Sequence, residues 1–377
     1  MLPWIGHIMG SAIVPLDRET VLLAVKNTLG QIVNDGIFAL GGQVAVVCDG
    51  ELIVDLALGE SGSRKVLSPG DLHNVYCLVK PFSYLLLAQV LENAGIGPDD
   101  LLDEVASLPC WCPTGITFRE LSSHNAGLGE PSAIQWRWTP PNERETLLRK
   151  GSRVQRSAYS EVAGGLVCEH LIEEITGVPA DNYCIDKLLS PLGLSNDMIV
   201  NADGAESVRN RVRAPAAGLP MSPLPMLSEL LPSHMNEIRL ALGALATMSA
   251  VAKLFAAVGR VMLGKQVSGL PSPQYLDDLL RDERPASEDP VLGREAKWSA
   301  GLMVELKRQV VSRFASNNSV GHVGGLANSA ALFDPTRNTS VAVFLNGVGA
   351  DFHDQALPRQ RTLDRVLDAI PACNTEV

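Results

Sequence analysis

Asn74-Val75-Tyr76-Cys77-Leu78-Val79-Lys80-Pro81-Phe82 is the stretch on which the reading of this chain turns. Phe82 to Ala94, which follows, is densely apolar and free of internal breakers, so it predicts a core helix. Residues three apart share a helix face, which points Cys77 and Lys80 the same way from its first turn. That arrangement is a nucleophile beside a base. A helix N-terminus and a lysine charge each favour a thiolate, and a desolvated lysine can take up the thiol proton. Pro81 biases Lys80 away from α geometry, so the turn holding Cys77 is expected to be irregular, with regular helix from Pro81.

Upstream, Gln43 to Cys48 and Glu51 to Leu58 are β-rich and joined by Asp49-Gly50, a strong hairpin signal. Thr20 to Phe38 carries apolar residues at helical spacing and predicts a helix before that hairpin. Downstream, Val162 to Thr176 repeats the core-helix pattern and stops at Gly177. Ala330 to Asp334 and Ser340 to Asn346 read as two strands around an Asp-Pro-Thr-Arg-Asn turn, and Pro358 to Ile370 as a closing helix with proline first. Strands at both ends with helices between predict an α/β (α+β) fold with one antiparallel sheet built from both termini. The expected division is a discontinuous sheet domain, 1–75 and 297–377, and a mainly helical domain with long loops, 76–296. The two long loops, 109–141 and 213–234, are of a length that usually carries function.

At 377 residues, with 46% apolar and 19% charged residues, the chain is long and apolar enough to bury a large core unaided. A net charge of −11 repels phosphate backbones and anionic lipid, which disfavours nucleic acid as a partner. Seven scattered cysteines form no disulfide framework, and a cytoplasmic setting fits them best. Met1 to Leu16 lacks a cationic start and is too short to span a bilayer, so no export signal is read. Leu240 to Leu263 is interrupted by Lys253 and Arg260 and reads as a buried helix pair or one long core helix. No membrane segment is expected.

Three further segments follow Cys77-Leu78-Val79-Lys80 in order: Ile116 to Glu130 (ITFRELSSHNAGLGE), Ala158-Tyr159-Ser160-Glu161 with Gly164-Gly165, and Gly321-His322-Val323-Gly324-Gly325 with Phe333-Asp334-Pro335. Together they resemble the serine β-lactamase and penicillin-binding-protein superfamily, in particular its class C-like branch of esterases, aminopeptidases and transacylases. The separations, 82 residues from Cys77 to Tyr159 and 163 from Tyr159 to His322, suit that family, and the similarity runs over roughly 20–350. The resemblance implies a β-lactamase/DD-peptidase-like fold with the nucleophile helix at the domain interface. It implies Cys77 in place of the nucleophilic serine, Lys80 as its base, Tyr159 as general base and acid, and His322 in the third motif. It also places the oxyanion between the backbone N–H groups of Cys77 and Gly325, beside Gly324.

Two departures set the expected activity. Cysteine makes the intermediate a thioester, and Glu161 stands where the family has an asparagine for an acyl amide, which argues against β-lactamase activity. Amines attack thioesters more readily than esters, and no residue is evident for activating a deacylating water. The leading expectation is therefore an acyltransferase passing an acyl group from Cys77 to an amine or alcohol, in small-molecule biosynthesis. Its partners would be a small-molecule acyl donor and acceptor, a carrier-protein or CoA thioester among the donors, with no metal and no cofactor. An esterase or amidase using the same residues, and a silent binding protein of this fold, are the alternatives. Trp136 and Trp138 are candidate pocket residues, and His124 reads as a satisfied structural histidine. Cys110 and Cys112 read as loop packing rather than zinc ligands, and the arginines at 149–156 and 209–213 as solvated faces.

Overall fold

A computed structural model describes residues 17–151, 157–216, 219, 238–281, 286–307, 309, 311–324, 328–347 and 352–372, with backbone alone for Ile134 and 352–357. Gly325, the loop over 220–237 and the arginines at 153 and 156 lie outside the described residues.

The hairpin forms where the Asp-Gly pair predicts it. Strands β1 (Gly41–Cys48) and β2 (Glu51–Gly59) pair antiparallel. Asp49 and Gly50 turn the chain with φ of 50° and 80°, the left-handed pair that a two-residue hairpin loop requires. Helix α1 (Arg18–Asp35) precedes it, capped by the Asp17 carboxylate at its start and by Gly36 at φ 61° at its end. At the far end β3 (Trp298–Ser299), β4 (Leu302–Val304), β5 (Val320–Gly324), β6 (Ser329–Asp334) and β7 (Thr339–Leu345) complete a seven-stranded antiparallel sheet in the order β2-β1-β7-β6-β5-β4-β3. The termini meet at β1 and β7, in register from Gly42 against Leu345 to Cys48 against Thr339.

Side chains alternate across this sheet, and both faces are covered. Val44, Val46, Val341 and Val343 meet Val21, Val25 and Leu29 of α1 and Leu363 and Val366 of the C-terminal helix on one side. Ala45, Val47, Phe333 and Phe344 meet the other helices: α2 (Lys80–Asn93), α3 (Ala163–Thr176) and α4 (Met248–Met262) belong to that second cluster. The C-terminal helix α5 spans Phe352–Ala369, so Pro358 lies within it rather than opening it. The helix continues through the one main-chain bond that a proline forfeits. Of Leu240 to Leu263, only α4 is helical. The Thr247 side chain caps it by accepting from Ala250 N–H, and Leu245–Ala246 before it is a short strand.

Gly259 shows how closely α4 lies on the sheet. A Cβ there would sit 2.2 Å from the ring of Phe333, itself fully buried on β6. Gly259→Ala is therefore expected to lower stability by about 1–3 kcal/mol despite alanine's better helix propensity, because a packed core must open for one methyl. Chemical denaturation checks this, and an unchanged or higher midpoint would refute the close contact.

Candidate active site

The strand His73–Asn74 pairs with Leu245–Ala246 and ends against Val75, whose N–H donates to Ala244. Asn74 Oδ1 then accepts the N–H of Tyr76 at 3.0 Å, and Tyr76 enters the left-handed region at φ 44°. That conformation is strained for an aromatic residue, and strain of this kind gathers at functional positions. Tyr76–Val79 follows as a 3-10 turn and α2 begins at Lys80, with Pro81 at its second position. The irregular turn expected ahead of Pro81 is this one, with regular helix starting one residue earlier than anticipated. Lys80 stays in α geometry (φ −53°, ψ −43°), and in a 3-10 turn residues three apart eclipse, so Cys77 and Lys80 share one column.

Cys77 is half-buried and Lys80 buried. Lys80 is close enough to His124 and His322 for its charge to push both histidines down. Tyr159 reaches the same place from the loop before α3. Its N–H donates to Asp289 Oδ2 at 2.8 Å, the next N–H, of Ser160, to His124 Nδ1 at 3.2 Å, and Ala158 N–H to the carbonyl of His124. The tyrosine is thus fixed by its backbone, leaving the phenol free to face Cys77. Burial, and then the neighbouring Cys77, hold its pKa well above that of an ordinary phenol. Buried beside Cys77, Tyr159 keeps its proton.

His322, on β5 opposite Ala331, is completely buried, and burial lowers its pKa to about 3. Its Nδ1–H donates to the Val323 carbonyl at 2.9 Å, which leaves Nε2 as a bare acceptor. Beyond Val323, Gly324 lets the strand pass the segment that carries Cys77: a Cβ there would meet Ser329 Oγ at 2.3 Å and the Val75 carbonyl at 3.0 Å.

The structure therefore brings Cys77, Lys80, Tyr159 and His322 together, and it adds groups that the sequence reading passed over. Trp298 of β3 stacks on Tyr159 with ring centroids 4.8 Å apart and 10° between planes. His124 stands edge-on to Tyr159, Trp298 and Tyr84 at 4.9, 4.7 and 5.4 Å. His124 is buried as expected, but it is only half satisfied, because Nδ1 is taken by Ser160 while Nε2 has no partner. Tyr84 Oη, Tyr159 Oη, Trp298 Nε1 and His322 Nε2 are likewise buried and without a hydrogen-bond partner, so five such atoms belong to one aromatic cluster, of which Tyr159 faces Cys77. Buried polar atoms are nearly always paired, which makes this the natural seat of water or substrate. Trp298 and Asp289 carry no local motif, so no sequence signal would have found them.

The remaining candidates lie to one side. Glu161 and Trp136 line a narrow cleft, with space of about 10 Å³ for water, together with Asn74, Arg137 and Leu242. Among the described residues none of Cys77, Lys80, Tyr159 and His322 lines that cleft. Trp138 is 61% exposed and stands apart from it. Cys110 is exposed and bonded to Arg149 and Glu145, while Cys112 is buried, its thiol pushed up to about 12. Arg209, Arg211 and Arg213 are each ion-paired, with Glu206, Asp197 and Asp71. Among the described residues, no group of three or more His, Cys, Asp or Glu could hold a metal ion, and no helix is long and apolar enough to cross a membrane.

The chain belongs to the Beta-lactamase family, whose pattern it matches over residues 30–364. Solved structures of the same fold include a penicillin-binding protein homologue from Caulobacter crescentus, 22% identical, covering 96% of this chain and 99% of that one, with a TM-score of 0.72. A family VIII carboxylesterase aligns at 17% identity over 93% of this chain and 96% of its own, with a TM-score of 0.69. The D-amino acid amidase of Ochrobactrum anthropi SV3 aligns at 19% identity, over 93% and 98%, with a TM-score of 0.71. No curated protein matches the sequence.

Proposed function

We propose that this protein is an acyl-transfer enzyme that forms a thioester on Cys77 and passes the acyl group to an amine or alcohol. The observation that carries this is the Cys77–Lys80 column facing a Tyr159 phenol that burial and the thiol keep protonated. Lys80 takes the thiol proton, and the thiolate attacks the acyl carbonyl, forming the C–S bond. Tyr159 donates its proton to the departing oxygen or nitrogen, and the Lys80 ammonium reprotonates the phenolate. The acceptor then attacks the thioester, the same two groups carry its proton back to sulfur, and the thiol is restored. His322 stays neutral throughout and accepts a hydrogen bond at Nε2. By the family resemblance the oxyanion is assigned to the N–H of Cys77, with Gly325, outside the described residues, as the expected second donor.

Water in place of the acceptor gives the hydrolase reading, which the likeness to a carboxylesterase and an amidase favours. The fold also includes a hydrolase with promiscuous acyltransferase activity, so both outcomes are chemically at home on this scaffold. The thioester tips the balance toward transfer, and a small-molecule biosynthetic role with a free, CoA-linked or carrier-linked donor is the setting that suits it. Incubating the enzyme with a p-nitrophenyl ester while raising the concentration of a primary amine tests the point. Product is expected to shift from acid to amide, with p-nitrophenol release rising as the amine clears the thioester faster than water does. If amide never forms, the enzyme is a hydrolase.

A further inference from the structure

The polar contacts that hold Tyr159 all lie on the main chain. Asp289 and His124 take the N–H groups of Ala158, Tyr159 and Ser160, and none of these bonds fixes the ring. Where the phenol points is therefore decided by what packs on it. Trp298 lies on one face, 4.8 Å away and 10° from parallel, and His124 stands at 73° to it at 4.9 Å. A turn of the phenol about its Cβ–Cγ bond would drive a ring edge into the indole. Trp298 also meets His124 edge-on at 4.7 Å and His322 at 5.3 Å, so one side chain borders three rings of the site.

The indole is itself seated by a strained and anchored turn. Strands β3 and β4 are joined by two residues, Ala300 at φ 52° and Gly301 at φ 75°, the left-handed pair of a tight hairpin. Alanine is poorly suited to that region. Three contacts hold the turn in place. Gly301 N–H donates to the Ser122 carbonyl at 2.7 Å, Ser299 Oγ donates to the Leu279 carbonyl at 2.6 Å, and Tyr84 packs so closely on Gly301 that a Cβ would lie 2.5 Å from its ring. Trp298 is buried although β3 is the edge strand of the sheet. Plain filling of the core calls for neither a strained turn nor an indole whose Nε1–H is buried without a partner.

We propose that Trp298 is a positioning residue: by stacking on Tyr159 it aims the phenol at the leaving atom of the acyl donor, so that the proton arrives as the bond to that atom breaks. This rests on the acyl-transfer reading. The need for an aimed proton comes from the leaving group. In the tetrahedral adduct on Cys77 a thiolate departs more readily than an alkoxide, so the adduct reverts unless Tyr159 gives its proton to the alkoxide oxygen. The C–O bond then breaks with its electron pair on that oxygen, the carbonyl re-forms as a thioester, and the alcohol leaves. p-Nitrophenolate departs as the anion and has little use for the proton.

Values of kcat/KM for ethyl butyrate and p-nitrophenyl butyrate, compared in the parent, Trp298→Phe, Trp298→Met and Tyr159→Phe, test it. Trp298→Met is expected to lower kcat/KM for ethyl butyrate about 10–100-fold further than for the p-nitrophenyl ester. Trp298→Phe keeps a flat face and should hold the ratio of the two within about three-fold of the parent. In Tyr159→Phe the ratio has already fallen, and adding Trp298→Met should change it by less than about three-fold. A loss of equal size on both esters, or one that persists undiminished in Tyr159→Phe, marks a packing role and overturns the proposal. So does a parent that uses the p-nitrophenyl ester but not ethyl butyrate. If Trp298→Met does not fold, the ring-proton signals of Tyr159 in the parent, assigned by their loss in Tyr159→Phe, decide. They are expected upfield of free tyrosine, as stacking on an indole requires, and signals at the free-tyrosine position overturn the proposal. A parent inert toward both esters counts against the acyl-transfer reading itself and takes the proposal with it, whereas every other adverse result leaves that reading standing.

Discussion

Replacing Lys80 with methionine is expected to slow acylation of Cys77 by about 10²–10⁴-fold, the range that a positioned general base supplies. The same change should leave the fold as stable as before or more so. Lys80 is buried at the start of α2, among Leu78, Val79 and Phe82, which belong to one apolar cluster. An ammonium is costly to hold there, and methionine has a similar length and no charge to bury. A residue kept for packing would show the opposite, with activity falling only as far as stability does. Activity within about three-fold of the parent, measured as p-nitrophenol release on folded protein, would remove Lys80 from the proton path.

Mild acid is expected to destabilise the protein steeply, through three histidines that lie at or beside the site. His73, His124 and His322 are buried, and burial holds the pKa of His73 and His322 to about 3 and that of His124 well below its usual value. Their surroundings add to this, since Arg213 faces His73, and Lys80 faces both His124 and His322. Unfolded histidine takes its proton near pH 6.5. Below that pH the unfolded chain binds protons that the folded chain excludes, so the contribution is complete above about pH 6.5 and is lost as pH falls toward 3. At pH 5 His73 and His322 have each given up about 2 kcal/mol and His124 adds in the same direction, a large share of a typical folding free energy. For a chain of this length that is a fall in Tm of at least about 5 °C between pH 7 and pH 5. His73 has neither ring nitrogen bonded and stacks on Phe344 at 4.0 Å, so His73→Phe should flatten the slope by about a third. A Tm constant within about 2 °C over that interval would show that these histidines are charged or solvated in the native state.

Much of the frame was legible locally. Asp49-Gly50 fixes the first hairpin because both residues tolerate positive φ, and Gly177 at φ 71° ends α3 for the same reason. The pairing of β1 with β7 joins residues some 300 positions apart and left no local trace; it follows from the family resemblance and from burial on both faces. Leu240 to Leu263 misled because apolarity without period cannot divide strand from helix, whereas the Thr247 cap does. Cys77, Lys80, Tyr159 and His322, which the fold brings together, each lie in a short motif whose neighbours are constrained by the backbone. Trp298 acts from the sheet edge and Asp289 from a separate hairpin, single residues that reach Tyr159 only through the fold. His124 was seen as structural, and two of its bonds do hold the Tyr159 loop, but its open Nε2 belongs to the aromatic cluster that packs on Tyr159.

The central claim is covalent acylation of Cys77, and intact-mass spectrometry after exposure to a panel of p-nitrophenyl esters and acyl thioesters tests it most directly. The parent protein is expected to gain one acyl mass that decays faster with added amine than in buffer, while Cys77→Ala gains none. An adduct of the same mass on both proteins, or on neither with every donor, would contradict a thioester enzyme built on Cys77.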